Sequence, residues 1–447
     1  MSHPDTLKPS AAMPTSRYAW TVVALLFPVA LLNYLDRQMI ASMKVSVMRD
    51  IPSVGSEENW GHMLAQFKWV YAVFSPIGGY IADRFSKRYT ICASLFVWSA
   101  ITWWTGHVQT FDELLLARSL MGISEAFYIP AALALIADHH GMLTRSRAVS
   151  IHQMGIYCGV IVGGFAGYLA DAPSLGWRFA FDITGLMGVL YAVPLLMLLK
   201  DKWRGGEVTI PAGVSTDQRA TSRGFVRSLV DEVVKILRTL WTLFSNLSFI
   251  LLVLYFTLPA IAAWVVRDWM PAILQKEFNI SQGHAGVSAA LYWQAAALVA
   301  AVGAGVLADR WMRRTDRGRI YVSALGMLLI VPALYSVGNA PSAGSFPLAI
   351  FGLILFGIGW GFFDCNNMPI LSQVVGPNLR ATGYGIMNFV SMMAGGIADW
   401  TFGIMRDRGV ALNSIFTSFA GVCVLSTILV LLIRPRDTGE NRSQASP

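Results

Sequence analysis

The sequence is poor in charge. Only 13% of its 447 residues are Asp, Glu, Lys or Arg, about half the share of an average soluble protein. Hydrophobic residues make up 55% of the chain. A soluble surface cannot be built from such a composition, so a soluble globular protein is excluded. A membrane protein remains, because a helix that crosses the bilayer needs about 20 predominantly apolar residues.

Several motifs of chemistry are missing as well. The four cysteines, Cys92, Cys158, Cys365 and Cys423, are scattered through apolar segments without C-x-x-C spacing, which favours buried small side chains over a metal or redox site. The sequence has no G-x-x-x-x-G-K-[ST] loop for a nucleotide-driven pump and no H-E-x-x-H or G-x-S-x-G motif of a hydrolase. We therefore expect no enzyme activity, no metal and no cofactor. The opening "MSHPDTLKPSAAMP" lacks the features of a cleavable signal peptide, so the first helix is predicted to be retained.

What the sequence has in abundance is apolar segments of membrane-spanning length. The predicted fold is an all-α membrane protein with twelve transmembrane helices in two six-helix bundles. The spans are 18–41, 62–82, 89–107, 112–137, 147–170, 177–200, 245–274, 284–308, 320–338, 347–373, 379–402 and 410–433. The predicted regions are an N-terminal tail 1–17, a first bundle 18–200, a central loop 201–244, a second bundle 245–433 and a C-terminal tail 434–447.

The formal net charge of +8 is distributed over alternate loops. Lys and Arg collect on the side of the central loop and both tails, whereas the opposite loops carry fewer of them, mixed with Asp and Glu. By the positive-inside rule both termini are predicted to be cytoplasmic, with the chain in a plasma membrane such as the bacterial inner membrane. This pattern explains the basic charge by topology, so no nucleic-acid partner is expected.

One loop motif occurs twice. "GGYIADRFSKR" follows the second predicted span and "GAGVLADRWMRR" follows the eighth. Both fit G-x-x-x-D-R-x-x-[KR]-R, at equivalent places of two six-helix halves. Such an internal repeat indicates a duplicated transporter architecture.

The repeated motif, the six-plus-six arrangement and the basic central loop resemble the major facilitator superfamily over residues 15–435. The resemblance implies two bundles that rock around a central cavity, with the repeated loops latching the cytoplasmic ends in the outward-open state. We expect the protein to be a monomer. Asp83 and Asp309 can each pair with a loop arginine or cap the following helix. The alternative, a topology signal only, accounts for the basic residues but not for the aspartates. The predicted gating residues are Gly79, Asp83, Arg84, Arg88, Gly305, Asp309, Arg310 and Arg314.

Ionisable residues inside the spans are informative because each one is costly in hydrocarbon and needs a partner, water or a function. The first span contains Asp36 and Arg37, and the fourth contains Arg118 and Glu125. Residues seven apart lie two turns apart on one helical face, which therefore faces the cavity, and Tyr128 continues that face. Glu125 lies about 20 Å into its span at 1.5 Å per residue, near the bilayer centre.

Asp36 and Arg37 are neighbours on a helix, so they point about 100° apart and should reach different partners. The sequence predicts cross-helix pairs of Asp36 with Arg118, and of Arg37 with Glu125 or a substrate anion. The alternative is a purely structural ion-pair cluster between the first and fourth helices. A buried pair is a poor source of stability compared with apolar packing, which favours the functional interpretation.

"NYLDR" together with Arg-x6-Glu resembles two branches of the superfamily, the anion:cation symporters and the Spinster lipid transporters. The resemblance implies that Asp36 and Glu125 bind protons. It implies further that Arg37 and Arg118 bind the anion or couple it, and that Tyr34 contacts substrate. The polar positions that complete the symporter site in the fifth helix have no clear match, and the nearest candidates are Gln153 and Tyr157.

The second half contributes amides and a carboxylate. Such groups suit a hydroxylated ligand, although amides that join helix to helix are an equally common use. The predicted contacts are Gln294, Asp364, Asn366, Asn367 and Asn388. The glycines of "GVIVGGFAGY" in the fifth span are explained by close helix packing. Arg267, near a helix end, is expected to snorkel towards the membrane surface.

These features predict a secondary active transporter that works by alternating access. The substrate predicted first is a small organic anion such as a sugar acid, carried together with protons. The alternative is a Spinster-like, proton-linked transporter of lysolipids or other amphiphiles. The partners expected are therefore an anionic small molecule, protons and the lipid bilayer.

Overall fold

A computed structural model describes residues 17–201, 238–376 and 379–435. Within these ranges the regular structure is helical, including a 3-10 turn at Pro52–Val54, and there is no strand. Both tails and most of the central loop predicted at 201–244 lie outside the described residues.

The first half contains nine α-helices, four of which form two interrupted segments. The helices are α1 (Arg17–Ser42), α2 (Lys44–Asp50), α3 (Glu57–Arg84), α4 (Lys87–Thr105), α5 (Phe111–Glu125), α6 (Tyr128–His139), α7 (Met142–Gly164), α8 (Ala166–Asp171) and α9 (Gly176–Leu198). The segments α5–α6 and α7–α8 each correspond to one predicted span.

The second half is built from six long helices. They are α10 (Leu247–Phe278), α11 (Gln282–Met312), α12 (Gly318–Asn339), α13 (Phe346–Val374), α14 (Arg380–Asp407) and α15 (Leu412–Leu432). Within the described part of the chain, nine segments are long and apolar enough to cross a membrane. The helices α3, α4 and α14 coincide with further predicted spans without being among these nine. The count of twelve spans and the cytoplasmic position of the termini stay predictions.

The helix that carries Glu125 is broken directly after it. Ala126 and Phe127 form a turn between α5 and α6. Pro130 explains the break, because proline has no N–H for the carbonyl of Ala126 and its ring clashes with that carbonyl. Gly78 of α3 fits against the turn, since a Cβ there would lie 2.5 Å from the Ala126 oxygen. The break therefore places the glutamate at a helix end inside the bundle.

The two halves meet at one end through two equivalent caps. The Asp407 carboxylate at the end of α14 accepts hydrogen bonds from the backbone N–H groups of Glu57 and Glu58, at the start of α3, at 3.1 and 2.8 Å. The Asp171 carboxylate at the end of α8 accepts one from the N–H of Gly283, at the start of α11, at 2.8 Å. A carboxylate is favourable at a helix N-terminus, where N–H groups lack partners. Each half thus caps a helix of the other in the same way, as a duplicated fold requires.

Glycines show how closely the two halves pack at this end. A Cβ at Gly61 of α3 would lie 2.4 Å from the Asp399 carbonyl oxygen, and one at Gly164 of α7 would lie 2.7 Å from that of Gly286. Towards the opposite end, a Cβ at Gly79, Gly305 or Gly385 would meet no atom within 4 Å. We call these the closed end and the open end. The predicted topology makes the closed end extracellular.

Both copies of the repeated motif lie towards the open end, where a Cβ at Gly79 or Gly305 would meet no atom within 4 Å. Asp309 pairs with Arg319 of its own half, at 2.8 Å between oxygen and Nη2. The Arg88 guanidinium donates to the carbonyl of Leu196, also in its own half, at 3.0 Å from Nε. The side chain of Asp83 lies outside the described part of the chain. Latching by these residues therefore stays a proposal for the conformation in which this end closes.

Candidate functional site

An ion pair buried inside the first half forms the centre of the site. Arg37 Nε of α1 lies 2.6 Å from Glu125 Oε2 at the end of α5, and the side chains are 6% and 0% exposed. The predicted pairing of Arg37 with Glu125 is confirmed. Both residues belong to the same half, so the relative movement of the halves does not separate them.

Aromatic rings surround the Arg37 guanidinium. Its Cζ lies 4.7 Å from the ring centres of Tyr34 and Tyr71 and 4.8 Å from that of Phe67. The negative faces of these rings stabilise a cation that water does not reach. Their bulk also fixes the planar fork of the arginine in one orientation.

The other predicted pair, Asp36 with Arg118, does not form. The Asp36 carboxylate instead accepts a hydrogen bond from Thr102 Oγ1 of α4 at 3.0 Å. Arg118 lies over the ring of Phe67 at 4.6 Å and donates from Nη1 to Met121 Sδ at 3.2 Å. The prediction was wrong because Asp36 bonds to the Thr102 hydroxyl and Arg118 lies against the Phe67 ring. Residue spacing along one helix does not show such neighbours on other helices.

Arg267 of α10 also lies in this region, which corrects the expected snorkelling. Its side chain is 10% exposed. Its Cζ lies 5.2 Å from the ring centre of Tyr34, on the other half, and 5.3 Å from that of Trp264. A position two residues before an interfacial tryptophan suggests a helix end, but α10 continues to Phe278 and so places Arg267 within the bundle.

Several guanidinium N–H groups near the Arg37–Glu125 pair lack hydrogen-bond partners within the described ranges. Arg37 Nη2, Arg118 Nε and Arg267 Nε are buried and have no hydrogen-bond partner among the described residues. Buried donors without partners are costly, so a site that keeps them is suited to a ligand that accepts from them. These donors come from three arginines, two in the first half and one in the second.

Tyr128 lies elsewhere than its predicted position on the cavity face. It is fully buried, and its hydroxyl lies 3.2 Å from the carbonyl oxygen of Leu26 and 2.9 Å from His152 Nε2. Its hydroxyl is thus engaged by α1 and α7 of the first half, and no contact of Tyr128 with the Arg37–Glu125 pair is among those of the described residues. A substrate contact of Tyr128 stays a prediction.

The other polar candidates have different surroundings. Asp364 of α13 and Asn388 of α14 are exposed, whereas Asn367 and Gln294 are buried. Asn366 is also buried, and its Nδ2 donates to the Phe362 carbonyl of its own helix at 3.0 Å. Gln153 and Tyr157 lie half-buried on α7, in the first half. Among these, Asp364 and Asn388 are the side chains that a ligand can reach without rearrangement.

An apolar groove lies between α11 and α13. Its volume is about 740 Å³. Its walls include Tyr292, Ala295, Val299, Gly303, Ile354 and Phe362. The Tyr292 hydroxyl aside, these side chains carry no polar atom, so the groove suits an alkyl chain, of a ligand or of a bilayer lipid.

Three buried charges that the sequence interpretation missed lie together between the halves. They are Lys68 of α3, Asp268 of α10 and Asp399 of α14. Each lies within a predicted apolar span, so the cost of a charge in hydrocarbon could have identified all three. What the sequence could not show is that three separate helices bring them to one point.

The comparisons with known proteins agree with this architecture. The sequence matches the family model of the Major Facilitator Superfamily over residues 26–398. The chain belongs to that superfamily. Protein spinster of Drosophila melanogaster is 26% identical over 406 residues, which cover 88% of this chain and 62% of the Drosophila protein. The sphingosine-1-phosphate transporter SPNS2 of Mus musculus is 25% identical over 385 residues, covering 81% of this chain and 65% of the mouse protein.

A solved structure has the same fold. It is a bacterial homolog of the human lysosomal transporter Spinster, in an inward-facing and unoccupied conformation. The TM-score is 0.71 with 19% identity, over 94% of this chain and 96% of the other. The superfamily member described here is therefore a multi-pass membrane transporter of small molecules that resembles the Spinster branch, and not an enzyme.

Proposed function

We propose that this superfamily member is a proton-coupled transporter of an amphiphilic organic anion. The observation that carries the proposal is the buried Arg37–Glu125 pair with unused guanidinium donors from both halves beside it. An anionic group that enters there would accept hydrogen bonds from Arg37 and Arg267, whose Cζ atoms lie 4.7 and 5.2 Å from the ring centre of Tyr34. It would thereby join the two halves through one ligand.

The same pair offers a route to proton coupling. A substrate anion that binds Arg37 in place of Glu125 leaves the Glu125 carboxylate without its cation. The buried surroundings disfavour such an unpaired charge. A proton then neutralises the carboxylate, so that the anion and the proton are bound together. We include Asp36 in this proposal as a second proton-binding carboxyl, because interacting sites share their protons.

Of the two substrate classes that the sequence leaves open, the amphiphile has more support. The groove between α11 and α13 is lined by apolar side chains, which suits an alkyl chain. The similar mouse protein carries sphingosine-1-phosphate, a phosphate headgroup on an alkyl chain. A sugar acid would need hydroxyl partners along its length. The candidate amides Asn367 and Gln294 are buried, which leaves Asn388 and the carboxylate of Asp364 as exposed partners in the second half.

A transport assay tests the substrate class. The purified protein is reconstituted in proteoliposomes, and labelled lysophospholipid or labelled sugar acid is offered with and without a proton gradient. We expect gradient-dependent movement of the lysophospholipid and none of the sugar acid. Gradient-dependent uptake of a sugar acid with no movement of lysophospholipid would instead support the sugar acid, the substrate class predicted first. Equal transport with and without the gradient would contradict proton coupling.

Replacing Arg37 by lysine tests the anion contact. Lysine keeps the charge but loses the planar fork that grips an anion through two hydrogen bonds and stacks against three rings. We expect the KM of transport to rise by about tenfold, the loss of roughly one charge-assisted hydrogen bond. The matched control is Arg178→Lys, whose guanidinium donates to the carbonyls of Gly106 and Val108 at the closed end. An unchanged KM in Arg37→Lys would remove Arg37 from the substrate site.

A further inference from the structure

Three charges meet between the halves near the closed end. The Lys68 ammonium on α3 donates to the Oδ2 atoms of both Asp268 on α10 and Asp399 on α14. The three side chains are 3%, 9% and 0% exposed. The cation comes from the first half and both carboxylates come from the second. We call this cluster the closed-end triad.

The surroundings of the closed-end triad exclude water. The Trp264 ring centre lies 4.6 Å from Lys68 Nζ, and Arg267 Nε lies 3.9 Å from Asp268 Oδ1. The backbone of α14 lies against Gly61 of α3, so that a Cβ added at Gly61 would overlap the carbonyl oxygen of Asp399. Asp399 Oδ1 is buried without a hydrogen-bond partner in the described residues. The three charges therefore stabilise one another, because no solvent is present to hydrate them.

The position of the triad gives it a different role from the Arg37–Glu125 pair. Arg37 and Glu125 belong to one half and stay together when the halves move. Lys68 must leave both aspartates whenever the closed end opens, since the lysine moves with one half and the carboxylates with the other. Opening by alternating access thus requires that two charged hydrogen bonds break together.

We propose that Lys68, Asp268 and Asp399 form an ionic lock that holds the closed end shut and sets the balance between the two orientations of the cavity. The lock acts on the conformational equilibrium of the empty protein. It depends on the alternating access of the superfamily and not on which substrate is carried.

Distance measurements between spin labels test the lock without any substrate. The full chain, with its four cysteines replaced, carries labels at Asp112 and Arg408, which are exposed on opposite halves at the closed end. A second labelled protein carries them at Ser146 and Ala381, exposed on opposite halves towards the open end. Pulsed electron paramagnetic resonance then gives the populations with each end open or closed.

Lys68→Gln should move the equilibrium towards a wider closed end and a narrower open end. We expect the ratio of open to closed at this end to rise by about tenfold, since a lost charged hydrogen bond changes such a ratio by that order. Asp399→Asn, which leaves Lys68 its bond to Asp268, should shift the ratio in the same direction by less. The exchange Lys68→Asp with Asp399→Lys keeps one cation between two carboxylates but leaves one charged hydrogen bond across the halves, so it should return the ratio to about that of Asp399→Asn.

Lys276→Gln is the matched control, because Lys276 on α10 is exposed and the same substitution removes the same charge there. Gel filtration and circular dichroism identify any variant that fails to fold, and Asp399→Asn and the exchanged pair remain informative in that case. Distances in folded Lys68→Gln and Asp399→Asn that equal those of the original chain would overturn the lock. Since no substrate is present, a failure of lysophospholipid transport leaves this result unaffected.

Discussion

We expect Glu125→Gln to abolish proton-driven accumulation of the substrate while exchange of substrate across the membrane continues. The reason lies in the geometry of the pair. Glutamine has the shape of glutamate and can still accept a hydrogen bond from Arg37 Nε, so the site keeps its form. It cannot take up a proton when the substrate anion occupies Arg37. Binding and reorientation then proceed, but the proton gradient no longer drives them.

Two assays on one preparation separate these steps. Accumulation is measured in proteoliposomes with an imposed proton gradient, and exchange is measured by counterflow into vesicles preloaded with unlabelled substrate. We expect the concentration ratio in the first assay to fall to about one, as for any carrier that only equilibrates its ligand. Counterflow should remain within about twofold, since uniform binding is kept.

Glu277→Gln is the control for this prediction. Glu277 also pairs with an arginine, Arg406, but at 3.4 Å and at the closed end, away from Arg37. Its replacement should leave accumulation unchanged. If Glu125→Gln supports both accumulation and counterflow at the original level, Glu125 is not the coupling site.

Gly159→Val is the second change with a large expected effect, and it acts on folding. A Cβ at Gly159 of α7 would lie 2.2 Å from the carbonyl oxygen of Leu31 on α1. Gly155 and Gly163, one turn on either side, approach α1 at 2.8 Å in the same way. This stripe of small residues lets two helix backbones touch, and there is no flexible side chain to give way.

Valine must therefore push α1 from α7, at a cost of about 3 kcal/mol, the upper range for overpacking. Because α1 carries Arg37, the shift should also weaken its contact with Glu125 and reduce transport. Thermal unfolding followed by tryptophan fluorescence should show a Tm lower by several degrees. Gly421→Val on α15 is the control, because a Cβ there meets no atom within 4 Å. Equal Tm values for the two variants would contradict the close packing of α1 on α7.

Much of the candidate site was predictable from the free-energy cost of placing charges in hydrocarbon. A charge within an apolar span is expensive, so Asp36, Arg37, Arg118 and Glu125 stand out in the sequence without any structure. The spacing of Arg118 and Glu125 and the divergence of Asp36 from Arg37 then predicted one cross-helix pair correctly. The same rules predicted a second pair that does not exist. Helical periodicity states which residues share a face, but it does not state which side chains of other helices lie opposite.

Lys68 shows the same limit more sharply. Its charge is as costly in the sequence as that of Arg37, yet nothing near it in the chain indicates a partner. Its partners lie 200 and 331 positions away, on two helices of the other half. No local pattern carries that information.

The amino-acid sequence by itself determined that this chain is a membrane protein with a repeated architecture, because backbone hydrogen bonding and the cost of charge in hydrocarbon act on every segment separately. It also determined which charged residues in the first and fourth spans had to matter. Only the tertiary structure decided the pairing of those charges, the closure of one end and the meeting of Lys68 with two aspartates. These features depend on distances between helices, which the packing of both halves sets and no single helix contains.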